Sequence, residues 1–424
     1  MSQERSSRLR SLGPAIIVAS VVMGPGSILV SSRVGCDFSY DLIWLVLLAA
    51  VLMIGMTALS AHLGAVLDHT PCEELARRAG RPVAVLVGLV LFLVIACFQF
   101  SNNVAVVLAV EPYAGEGDTW PLVLLATVNL MVLGVLFGFR QLYRRVEFLM
   151  KMLVGIMMLG FLGNLAFASP ALSQILAGLW PSLPESLTGA ILPTESEAKD
   201  QVVDPLLPVQ ALIGTTFSVA GAFYQAYLVR EKGWTRGDLR AGRLDSIVGI
   251  SVLGLLTLTV MVTAAAVLHG RIEGKDLGHA ADVARQLEPL FGTAATLLFS
   301  IGLLAGAFSS FLINVMIGGA VLSDGVGLGG SMDRPGPKVF TGFAVLLGMV
   351  VAMAVVTTGE KPVQLVVFAQ ALTVLGNPIL AGVLLWLSRR AGAPRWIQVV
   401  AVLGFLLVLV LAARTGVSIY LRLT

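Results

Sequence analysis

The chain has 424 residues, of which 57% are hydrophobic and 12% charged, and its mean hydropathy is +0.90. A soluble protein carries about twice that charged fraction, so a water-facing fold of two or three domains is excluded for want of polar surface. The net charge of +3, with no block of like charge, likewise gives no footing for a nucleic-acid partner.

A membrane-spanning helix needs about 20 mostly apolar residues. In chain order the sequence predicts spans at 12–35, 42–67, 83–110, 121–139, 148–168, 206–229, 246–268, 290–323, 339–358, 362–388 and 396–413, eleven in all. The partner is the lipid bilayer. The organisation expected is a cytoplasmic arm (1–11), a first run of five spans (12–168), an outer loop rich in Pro, Ser and Glu (169–205), a second run of five spans (206–388), and a last span with the C-terminus (389–424). The polar, basic start lacks a small-residue cleavage site after its apolar stretch, so the first span is read as retained. With the N-terminus inside, the inner segments carry 20 of the 28 lysines and arginines and the outer segments 8. That bias follows the positive-inside rule and, with eleven spans, puts the C-terminus outside. Cys36, Cys72 and Cys97 have no CxxC spacing and fall at different depths, which gives neither a disulfide framework nor a zinc site.

Two spans contain helix breakers where a continuous helix avoids them. In the first, Gly24-Pro25-Gly26-Ser27 lies between Ile16-Ile17-Val18 and Ile28-Leu29-Val30. Proline removes a helix donor and glycine permits non-helical angles, so the tetrapeptide is expected to unwind the helix. In the sixth, Gly214-Thr215-Thr216-Phe217-Ser218-Val219-Ala220-Gly221 is small and polar at mid-span. Alone, that stretch reads equally as close helix packing. Paired with the first break, at the matching place in a second run of five spans, it points to a transporter with inverted repeats and a midplane site.

These segments carry a family resemblance. Gly24-Pro25-Gly26-Ser27, with Gly35, Tyr40 and Trp44 beyond it, is similar to the stretch that opens with an Asp-Pro-Gly-Asn motif in the Nramp (natural resistance-associated macrophage protein) family of divalent metal-ion transporters. Leu59-Ser60-Ala61-His62-Leu63-Gly64 resembles that family's second helix, and Gly302-Leu303-Leu304-Ala305-Gly306-Ala307-Phe308-Ser309-Ser310 its eighth. Gln370 within Phe368-Ala369-Gln370-Ala371, followed by Asn377-Pro378, resembles the tenth-helix glutamine region. The resemblance implies an all-α polytopic membrane protein with the LeuT fold: 5+5 inverted repeats, about eleven transmembrane helices, and helices 1 and 6 unwound at mid-membrane. It also implies alternating access and, for this chain, a bacterial inner (plasma) membrane.

Carried over residue by residue, the family's metal-binding Asp falls on Gly24, its Asn on Ser27, its backbone carbonyl on Thr215 and its Met on Ser218, while its Gln is kept as Gln370. The family's sixth-helix Met-Pro-His-Asn reads Ser218-Val219-Ala220-Gly221. In its third helix the Asp-x-x-Glu pair falls on Asn102 and Ala105. Gly24, Ser27, Thr215, Ser218 and Gln370 are therefore the expected substrate site, and all but Gly24 are the expected metal ligands. Tyr224, Gln225, Asn102, Asn314 and Asn377 are pathway candidates.

A thioether selects transition ions, and a hydroxyl in its place leaves an oxygen site. None of the 25 acids falls inside the predicted spans, although intramembrane acids normally mark ion and proton routes. An amide at Asn102 cannot relay a proton. The expectation is transport of a divalent cation, with Mg²⁺ the best-suited ion, and proton coupling weakened or absent. The alternatives are a carrier of a neutral or zwitterionic organic solute, and a non-transporting membrane sensor. No nucleophile–base arrangement points to an enzyme, and no cofactor is implied.

Overall fold

The structure, a computed structural model, describes residues 13–114, 119–138, 140–184, 187, 192–195 and 202–423. The expected cytoplasmic arm, with three of the basic residues counted as inner, lies outside the described residues.

Backbone in hydrocarbon must satisfy its own hydrogen bonds, so the apolar runs fold as helices. The first segment is α1 (Pro14–Val22) followed by α2 (Pro25–Phe38). Next come α3 (Ile43–Val66), a short α4 (Pro71–Ala79) in the connector, α5 (Arg81–Val110), α6 (Trp120–Phe137) and α7 (Arg140–Ala168). The connector after α7 adds α8 (Leu172–Ala177) and a two-residue antiparallel ladder, β1 (Thr194–Glu195) against β2 (Val202–Val203). The second run begins with α9 (Leu207–Thr216) and α10 (Val219–Glu231), then α11 (Leu239–Val267), the short α12 (Ala280–Ala284) and α13 (Glu288–Phe291), α14 (Ala295–Val326) and α15 (Pro335–Val356). It closes with α16 (Pro362–Leu372) and α17 (Asn377–Ser388), and α18 (Arg395–Leu423) follows.

Among the described residues, ten helical segments are long and apolar enough to cross a membrane. The expected first span is not among the ten; it is covered by α1 and α2, nine and fourteen residues long, on either side of a break. Large apolar side chains such as Leu93, Phe148, Leu159 and Val410 are exposed on the outer faces. In water such a surface would aggregate; in a bilayer it is the lipid contact.

The helices pack in two groups. In one, α11 lies against α1, α2 and α3, and α10 lies against α3. In the other, α14 packs along α5 and α15. α16 lies between them, touching α2 and α9 on one side and α5 on the other. At the far end Arg414 of α18 pairs with Asp204, the two side chains covered from solvent, and Ser418 Oγ donates to the second carboxylate oxygen at 2.9 Å. This contact fastens the end of the α7–α9 connector to the last helix.

Three details differ from the sequence expectation. The first break spans two residues, Met23 and Gly24, rather than four. Pro25 already begins α2, since its fixed φ suits a first helical position whose N–H would be unpaired anyway. Next, the tenth span tightens into a 3₁₀ turn at Thr373–Gly376. Pro378 accounts for this: it lacks the N–H that would bond Val374, and its ring would clash with the Val374 carbonyl. Finally, the acids do not all stay outside the packed helices. Asp245 in α11 and Asp324 in α14 are buried, each one residue beyond the predicted span end.

Candidate functional site

The two breaks are built alike. Gly24, in extended backbone (φ −90°, ψ −178°), caps the start of α2. Ser218 caps the start of α10, and its hydroxyl accepts from Gly221 N at 3.4 Å. Phe217 and Ser218 form the second break, so the small residues on either side of them remain helical. Each break sets a helix C-terminus beside a helix N-terminus, with partial charges of both signs and no ionised side chain.

Ser27 bridges the first break, its Oγ donating to Val22 O at 2.5 Å. Gln370 lies between the two broken segments. An ideal Cβ on Gly26 would sit 2.1 Å from Gln370 Nε2, and one on Gly214 would sit 2.9 Å from Gln370 O. Both glycines are therefore spacers that admit α16 between α2 and α9. Gln370 Nε2 donates to Ser101 Oγ of α5 at 2.8 Å, while its buried Oε1 has no hydrogen-bond partner. Buried amide oxygens are nearly always satisfied, so this one is a ready acceptor site. Thr215 bonds Leu212 O within its own helix at 3.0 Å, and the neighbouring Thr216 Oγ1 is buried without a partner.

A cavity of about 10 Å³ beside the second break is lined by Val22, Phe98, Ser218, Gly221 and Asn314, among others. That is room for one water. The cavity brings Ser218 and Asn314 together, but Ser27 and Gln370 do not line it. Asn314 Nδ2 donates to Ser310 Oγ at 2.8 Å. Asn377 is buried at the start of α17, beyond the 3₁₀ turn.

The remaining pathway candidates make contacts within the packed helices. Asn102 Nδ2 donates to Gln99 Oε1 at 2.9 Å. Asn103 Nδ2 bonds Gln99 O, and Asn129 Nδ2 bonds Asn103 Oδ1 at 2.6 Å, so a buried amide chain links α5 to α6. Tyr224 stacks on Tyr227 with ring centroids 5.6 Å apart. Gln225 turns to Asp245, donating to Oδ2 at 3.4 Å. Sequence reasoning missed Ser101, Gln99 and Asp245, because none forms a local motif and their partners are far along the chain.

At the other end of α10, Asp324 Oδ2 accepts from Tyr227 OH at 2.7 Å and from Thr70 Oγ1 at 2.6 Å. Cys72 is buried beside this cluster, and burial, reinforced by the Asp324 charge, pushes its thiol up to about 12. At pH 8 the thiolate fraction is then on the order of a thousandfold below that of an ordinary cysteine. Maleimide labelling of the folded protein, read by mass spectrometry of the Cys72 peptide, is expected to be slower by at least that factor.

Two interrupted helices packed against each other, with uncharged side chains at both breaks, define the broken-helix class of membrane transporter. The model of the natural resistance-associated macrophage protein-like family matches residues 15–423. The chain belongs to the Nramp family, and it is a transporter-family protein, not an enzyme. It is 25% identical to the divalent metal cation transporter MntH of Deinococcus radiodurans, the match covering 96% of this chain and 88% of that protein. It is 26% identical to MntH of Acidiphilium cryptum, covering 92% and 86%. Among solved structures, a mutant of the Eremococcus coleocola manganese transporter superposes with a TM-score of 0.74 at 19% identity, covering 95% of this chain and 84% of that one. Mhp1, a nucleobase-cation-symport-1 family transporter in a closed conformation with bromovinylhydantoin bound, gives 0.54 at 13% identity, covering 97% and 91%. The fold is shared across these structures.

Proposed function

We propose that the chain is a secondary transporter working by alternating access, that its cargo is a divalent cation kept partly hydrated, with Mg²⁺ the best fit, and that its proton coupling is weakened or absent. The names of the similar MntH proteins support a divalent cation. The observation that carries the finer reading is the donor set. Gln370 Oε1 is buried and unpaired between the two broken helices, and the side chain bonded to the same amide is the neutral Ser101 hydroxyl. No group of three or more His, Cys, Asp or Glu able to hold a metal occurs among the described residues. Neutral oxygens suit a hard ion that retains its own waters, since Mg²⁺ dehydrates reluctantly and takes few protein ligands. They offer nothing soft to distinguish Mn²⁺.

Weak proton coupling rests on the amide chain. Asn102 is engaged with Gln99, and amides neither release nor take up protons at accessible pH. The orientation that goes with this reading has the N-terminus in the cytoplasm and the C-terminus outside a bacterial inner membrane, from the 20-to-8 distribution of basic residues.

The test is flux into proteoliposomes holding a pH-sensitive dye, with Mg²⁺, Mn²⁺ and Ca²⁺ offered separately. Saturable Mg²⁺ entry without acidification is expected. Saturable Mn²⁺ entry accompanied by protons would overturn the proposal. No metal flux, with thermal stabilisation by a zwitterionic solute, would favour an organic cargo instead.

A further inference from the structure

Asp245 is fully buried, yet it belongs neither to the central site nor to the amide chain. Its Oδ1 accepts from Gly13 N at 2.7 Å and its Oδ2 from Ala15 N at 2.8 Å. These are N–H groups at the start of α1, which have no partner within the helix. Oδ2 also receives Gln225 Nε2 of α10 at 3.4 Å. One carboxylate of α11 thus ties together the leading half of the first broken segment and the trailing half of the second.

Everything else about α1 suits a part that moves. It is nine residues long and ends at the Met23–Gly24 break. It rests on two glycines: an ideal Cβ on Gly249 would lie 2.7 Å from Ala15 C, and one on Gly221 would lie 3.2 Å from Val18 Cγ1. Beside it is an apolar cavity of about 330 Å³, reaching from Ile16, Ala19 and Met23 to Val154 and Met158 of α7 and open in part to the outer face at Ile16 and Val252. A short rod, hinged at one end and bonded to a buried charge at the other, lies next to apolar space that packed side chains do not fill.

We propose that Asp245 is the positioning residue that latches α1 shut, and that its release lets α1 tilt into the cavity beside α7, opening the path on the N-terminal side of the site. The latch goes beyond the cargo assignment, because it operates whatever the site carries. Asp245→Asn preserves size but removes the charge and presents an N–H₂ group where one N–H was accepted. Charge-assisted bonds are about twice as strong as neutral ones.

The test is hydrogen exchange of the full chain in lipid nanodiscs without any cargo, so its result does not depend on which substrate is carried. In Asp245→Asn, the amides of 13–22 are expected to exchange about tenfold faster, with those of 250–265 unchanged and Asp245→Glu intermediate. Unchanged exchange at 13–22, or an equal rise in both segments, would overturn the latch. Gln225→Met removes only the α10 arm and is expected to give about a threefold rise at 13–22. It reads the same latch should Asp245→Asn fail to fold, and no rise in it would then count against the proposal.

Discussion

The triple substitution Gly24→Asp, Ser27→Asn and Ser218→Met is expected to raise Mn²⁺ affinity roughly a hundredfold over the parent chain, read by calorimetric titration of the purified protein. The gain follows from what each position lacks. Gly24 is in extended backbone that any residue adopts, and it caps α2, where Asp is among the favoured residues. A carboxylate there would supply the charge that offsets part of an ion's lost hydration. An amide at 27 can still donate across the break to Val22 O, as Ser27 does at 2.5 Å. A thioether at 218 gives up only the long 3.4 Å cap to Gly221 N. It must, however, enter a region with room for one water, so the variant is expected to bind in a more open state. No gain in Mn²⁺ binding by a folded triple variant would mean that the backbone around the breaks has diverged along with its side chains.

Gly35→Ala is expected to destabilise the protein by about 3 kcal/mol, at the upper end for overpacking, and to lower Tm by several degrees. An ideal Cβ at 35 would sit 2.3 Å from Met261 O, 3.0 Å from Ala264 Cβ and 3.1 Å from Ala265 N. Two of those neighbours are backbone of α11, which cannot rotate away as a side-chain tip can. The methyl would have to push α2 and α11 apart. Gly155→Ala is the control, since nothing lies within 4 Å of its ideal Cβ. Equal thermal stability of the two variants would refute the close approach of α2 to α11.

Much of the architecture was legible because lipid imposes simple rules on sequence. The helical segments follow from apolar length, and the first break from Gly24 and Pro25, which oppose a helix whatever surrounds them. The second break was only bracketed. It falls on Phe217 and Ser218, a bulky residue among small ones, and composition does not mark the exact pair. The 3₁₀ turn before Pro378 had a visible signal in Asn377-Pro378, read there as a family likeness and not as a backbone constraint. The buried acids escaped because hydropathy measures how apolar a segment is, not whether a carboxylate finds donors. Asp245 is buried by the N–H groups of a helix 230 residues away, and no local pattern announces such a partner. Gln370 was singled out through its resemblance to the family glutamine. Its setting between Gly26 and Gly214 depends on three helices meeting and was visible only in three dimensions.

The neutrality of the centre also governs how the transport cycle meets the membrane voltage. Moving one elementary charge through 100 mV involves about 2.3 kcal/mol. A carrier with an ionised carboxylate at its centre spreads that work over two steps, because the empty site is itself charged when it reorients. At the site proposed above, Ser27, Thr215, Ser218 and Gln370 carry no formal charge, so reorientation of the empty centre would move no site charge through the field. For a divalent cargo the whole electrical work, about 4.6 kcal/mol per 100 mV, then falls on the loaded step. An inside-negative potential would accelerate entry and leave the return unaffected, whereas with a carboxylate centre it would drive both steps.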